Sequence, residues 1–136
     1  MATKIFVNLP VKDLNKTRQF FTKLGFTFNP KFTDANATCM IIEKNIFAML
    51  LVEKFFKTFI KNEICDAKKS TEVLLALSVG SRKEVDEVVT NAVNAGGKEP
   101  REAQDHRWMY GRSFEDINGH IWEVFYMDMK KFPKKQ

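Results

Sequence analysis

Apolar and polar positions alternate along this chain in two patterns that come twice in the same order. Lys4 to Val11 is apolar and β-branched enough for a strand, and Pro10 marks an edge or an end. Asp13 is a candidate N-cap, after which Leu14, Thr17, Phe20, Phe21 and Leu24 recur at near-helical spacing until Gly25 stops the run. Phe26 to Phe32 alternates with Pro30 inside it, and Ala37 to Ile42 and Ile46 to Val52 predict two more strands. Residues 53 to 64 set Phe55, Phe56, Phe59 and Ile60 among lysines, which predicts an amphipathic helix or a lid-like connection.

After a polar hinge the order repeats. Glu72 to Val79 predicts a strand, and Ser81 with Glu84 three residues on predicts a capping box that opens a helix. Val85, Val88, Val89, Ala92 and Val93 form its apolar stripe, and Gly96 and Gly97 close it. Lys98 to Glu102, Met109 to Glu115 and His120 to Tyr126 predict three strands, the last two joined by a turn over Asp116 to Gly119. The pattern therefore predicts an α+β fold: two βαβββ repeats forming a curved mixed sheet around a central cavity, with the helices outside. The expected domain spans 1–129, with repeat one over about 4–52, a connection over 53–70 and repeat two over about 71–128. A basic tail, 130–136, follows.

Length and composition narrow the function classes. The chain has 136 residues, 44% hydrophobic and 29% charged, enough for one core without a structural metal and unlike a disordered or membrane-spanning chain. No secretory pattern opens it, so a cytoplasmic location is expected. Cys39 and Cys65 are read as free thiols. The net charge is +5, but Lys130, Lys131, Lys134 and Lys135 supply four of those charges, and no aromatic residues interleave with a basic patch. Nucleic acid and membrane are not expected partners. A Gly-rich phosphate loop and a nucleophile elbow are both absent from the sequence.

The paired layout, with Val11-Lys12-Asp13-Leu14 after the first strand and the D-x-x-G-x-x-x-E segment from Asp116 through Gly119 to Glu123, resembles the vicinal oxygen chelate superfamily over about residues 4 to 128. It looks most like the glyoxalase-related branch. The resemblance implies a cavity, frequent dimerisation, and functions that run from metal-assisted lyases and dioxygenases to metal-free resistance proteins. The metal-ligand positions of that family fall here on Phe6, Leu74, the neighbourhood of Met49, and Glu123. Only Glu123 among these can hold a hard or borderline divalent ion. No cofactor is therefore expected, and a divalent metal is the alternative.

Alternation along the last strand groups Glu123 with Ile121 and Phe125, and sends Trp122 and Val124 toward a helix. Glu123 is the candidate general base, or a recognition group for a cationic ligand. Asn8, His106, Trp108, Tyr110 and Arg112 are candidate ligand-binding residues, with Arg112 free to clamp a ligand anion or to neutralise Glu123. Asp105, His106 and Tyr110 form a relay if their loop folds over the cavity. The resulting expectation is a homodimeric small-molecule binding protein with a degenerate metal site; the alternative is a glyoxalase-related lyase, isomerase or dioxygenase acting on a small carbonyl or aromatic substrate.

Overall fold

The computed structural model describes residues 1–134; Lys135 and Gln136, the end of the expected basic tail, lie outside the described residues. The chain divides into two compact units, one of residues 1–66 and one from residue 67 onward. Each contains a four-stranded mixed sheet that does not close on itself.

The first unit runs β1 (Ile5–Val11), α1 (Leu14–Lys23), β2 (Thr27–Asn29), β3 (Ala37–Glu43), β4 (Ile46–Val52) and a short α2 (Glu53–Phe56). Its sheet has the order β1-β4-β3-β2, with β1 parallel to β4 and the other neighbours antiparallel. The Asp13 side chain accepts from the Lys16 amide at 2.9 Å and starts α1 where the cap chemistry predicts. Gly25 ends the helix at φ +100°, a conformation that favours glycine. Phe20, Phe21 and Leu24 are buried along with Leu9, Val11, Ala48 and Leu50, so α1 covers one face of the sheet.

Two expectations need correction here. The strand expected over 26–32 is only Thr27–Asn29, because Pro30 has no N–H for the ladder and opens a 3-10 turn capped by Asn29. The helix expected over 53–64 is one turn of α-helix and a 3-10 turn over Lys57–Phe59. Val52 offers no capping side chain, and so short a run lacks the propagation that sustains a helix.

The second unit runs β5 (Leu74–Ser78), α3 (Arg82–Asn94), β6 (Gln104–Asp105), β7 (Met109–Glu115) and β8 (Ile121–Met127). Its sheet repeats the order as β5-β8-β7-β6, with β5 parallel to β8. α3 packs on β7 and β8 and buries Val85, Val89 and Ala92. Ser81 accepts from the Glu84 amide at 3.1 Å, while the Glu84 carboxylate reaches back to the Gly80 amide at 2.9 Å, one residue beyond the usual capping-box donor.

The strand expected over 98–102 is reduced to a bridge between Lys98 and Glu115; Pro100 interrupts it, and the pairing resumes at Gln104. The tail begins as a 3-10 turn, Met129–Lys131, capped by Asp128, with Phe132 edge-on to Trp108 at 4.6 Å. No described helix is long and apolar enough to cross a membrane.

Candidate functional site

The connection between β7 and β8 decides which side chains meet in the second unit. Asp116 is buried, and its carboxylate accepts from the Asn118 amide at 2.9 Å, the His120 amide at 3.1 Å and the Trp122 indole at 3.0 Å. Burial pushes this carboxyl up, while His120 and these donors pull it back. Gly119 completes the loop at φ +95°, and a Cβ there would meet the Lys68 backbone at 2.7 Å. His120 is thereby held in the loop, β8 starts at Ile121, and Arg112 pairs with Val124 while Ser113 pairs with Glu123.

Cross-strand partners share a face, so Tyr110, Arg112 and Phe114 look toward α3 together with Trp122 and Val124. The Tyr110 hydroxyl donates to Asp86 on α3 at 2.6 Å, and Arg112 reaches Asp86 at 2.9 Å. Arg112 also grips both oxygens of Glu99 at 2.8 Å. The Tyr110 hydroxyl and then the guanidinium hold Asp86 low despite its desolvation, and Arg112 likewise holds Glu99 low. The Asp86 carboxylate pushes the Tyr110 hydroxyl up. These groups saturate one another.

The expectation that Tyr110 and Arg112 stand beside Glu123 is therefore corrected. They occupy the opposite face of the same sheet, because the loop is one residue longer than the expected turn. Glu123 instead takes Arg101, at 3.0 Å, with the carboxylate side chain 18% exposed and the guanidinium side chain 51% exposed. Between these strands the Ser113 hydroxyl, aligned with Glu123, is buried and has no hydrogen-bond partner among the described residues. A shallow cleft of about 590 Å³, lined by Glu99, Arg101, Glu102, Ala103, Tyr110 and Arg112, lies on the α3 side and shares only Arg101 with the Glu123–Arg101 pair.

Arg101 and Ser113 were not among the sequence candidates. Arg101 follows Pro100 on irregular backbone, where periodicity gives no side-chain direction. Ser113 is a small polar residue in a strand, and only the pairing register gives it a neighbour.

Asp105, His106 and Trp108 hold partners other than Glu123. Asp105 pairs with Tyr110 across the strands, yet its carboxylate holds Arg82 at 2.8 Å, so the Asp105, His106 and Tyr110 relay does not assemble. The His106 carbonyl also accepts from Arg82 at 2.8 Å, and its ring stacks on Trp108 at 6.3 Å. Trp108 is thus committed to His106 and Phe132.

Asn8 belongs to the first unit, on the sheet face opposite α1, with its amide donating to the Phe6 carbonyl at 3.2 Å. Phe6 stacks on Phe47 at 4.8 Å, and Met49 pairs with Asn8 and with Cys39, whose thiol burial pushes up. Among the described residues, no three His, Cys, Asp or Glu side chains gather as metal ligands.

Residues 3–42 match the family model described as bleomycin resistance protein-like N-terminal. Among solved structures, the chain is similar to a hypothetical protein, SA1046, from S. aureus, at 29% identity and TM-score 0.78 over 93% of this chain and 95% of that one. It is also similar to a glyoxalase-related enzyme from Fulvimarina pelagi, at 19% identity and TM-score 0.77 over 93% and 88% of the two chains. A genomically encoded fosfomycin resistance protein, FosX, from Listeria monocytogenes aligns at 16% identity and TM-score 0.69 over 96% and 97%. No curated protein matches the chain.

Proposed function

Because the chain carries the fold of the vicinal oxygen chelate superfamily, the glyoxalase and bleomycin-resistance group, we propose that it is a small-molecule binding protein of this type with a degenerate metal site. The ligand lies on the sheet face that α3 leaves uncovered, and Glu123 and Arg101 are its polar anchors. The observation that carries this reading is the partly exposed Glu123–Arg101 pair at 3.0 Å, with the unsatisfied Ser113 hydroxyl aligned with Glu123 across the strands. A guanidinium-held carboxylate suits recognition of a charged or polar group. The buried Ser113 hydroxyl gains a partner only if something arrives to supply one.

The residues at the family's metal positions do not fit a metal. Phe6 and Leu74 have no donor atom, Met49 has a soft thioether, and Glu123 alone cannot hold a hard or borderline divalent ion in place. No catalytic step is routed through such an ion. Elemental analysis of protein purified without chelator is expected to give far less than one zinc, nickel, iron or manganese per chain. Stoichiometric metal would overturn the reading. A thermal-shift screen of metabolites and antibiotics is expected to yield a stabilising ligand whose effect Glu123→Gln abolishes. An undiminished shift in that variant removes Glu123 from the site.

A further inference from the structure

Arg18 and Thr22 stand one helical turn apart on α1 and project from the same stripe of the helix. Two hollows meet at this pair. One, of about 500 Å³, is walled by Phe26, Phe28 and Pro30, with Thr27 at its rim. The other, of about 420 Å³, continues along the helix past Asn15, Gln19 and Lys23. Neither is lined by a carboxylate.

Arg82, Arg101 and Arg112 each hold a carboxylate within 3.0 Å, whereas the half-buried Arg18 holds none among the described residues, and its guanidinium makes no hydrogen bond to them. A guanidinium that is partly desolvated without a counter-charge gains by taking an anion. Phe26 and Phe28 share one side of an extended segment, and Phe26 is pinned edge-on against Phe21 at 5.8 Å. Thr33 is already committed to the Asn29 carbonyl and the Thr38 hydroxyl, which leaves Thr22 and Thr27 as the hydroxyls open to a ligand.

We propose that this groove on the first unit binds a small aromatic carboxylate, its carboxylate on the Arg18 guanidinium and its ring against Phe26 and Phe28. One guanidinium balances one negative charge, its planar fork matches a carboxylate, and the aromatic wall selects a flat apolar body.

The test is an NMR titration of the full ¹⁵N-labelled chain with benzoate, using benzamide as the neutral shape match. Saturable shifts centred on residues 15 to 33 are expected with benzoate. Benzamide and the Arg18→Gln variant should each weaken binding by at least about tenfold. Equal affinity for benzoate and benzamide, shifts that do not saturate, or undiminished benzoate binding by Arg18→Gln would overturn the proposal. The benzamide arm uses the unaltered protein, so the outcome does not depend on the variant folding. None of these results bears on the Glu123 site, which lies in the other unit.

Discussion

In the first unit β3 turns directly into β4 through Lys44 and Asn45, with a register shift between Ile41 and Glu43. In the second, the equivalent strands are joined by a loop over residues 116–120 whose geometry a buried carboxylate fixes. The first register is set by a tight hairpin that many side chains tolerate. The second depends on one side chain that serves two backbone amides and an indole. Repeated topology therefore does not mean repeated fragility. The unit that carries the polar site is also the one whose alignment rests on a single residue.

Asp116 is the most sensitive position in either connection. Asp116→Ala removes the acceptor shared by the Asn118 and His120 amides and the Trp122 indole and is expected to cost about 3–5 kcal/mol in chemical denaturation, whereas Asn45→Ala at the matching place in the first unit should cost less than about 0.5 kcal/mol. A similar loss in both variants would end the argument that the connections differ. Gly119→Ala adds backbone strain and a contact with the Lys68 backbone, and is expected to cost about 2–3 kcal/mol by the same measurement.

Arg112→Met breaks the links to Asp86 and Glu99, and because those carboxylates are partly exposed the expected cost is only about 1 kcal/mol. That variant also sharpens a pH prediction. Asp86 and Glu99 are held below their ordinary values, so the stability they add is present above their unfolded pKa range near pH 4 and is lost as pH falls through the depressed folded values. Melting temperature should drop below about pH 4 in the wild type. Arg112→Met should flatten that drop, and an identical acid limb in both proteins would refute the assignment. The smallest effect is expected from Glu123→Gln, below about 0.5 kcal/mol because the pair is partly solvated.

Sequence made the local features legible. The caps at Asp13 and Ser81, the stops at Gly25 and Gly96, and the strand Ile46–Val52 follow from short-range chemistry and periodicity, and all are found where expected. Alternation also assigned Glu123 and Trp122 to opposite faces correctly. What it could not supply was pairing between strands. A four-residue turn would set Arg112 opposite Glu123, and the loop that ends at His120 sets it opposite Val124, so one residue exchanges every neighbour on the sheet. The direction of Arg101 is illegible for a related reason, since the backbone around Pro100 has no repeat from which to project one.

The docking of Phe132 on Trp108 gives this chain a built-in optical readout. The two tryptophans sit in unlike surroundings: Trp122 deep against Phe114 and Asp116, Trp108 partly open beneath the C-terminal turn. Fluorescence from the second can therefore register release of the C-terminal segment while emission from the first still reports an intact interior.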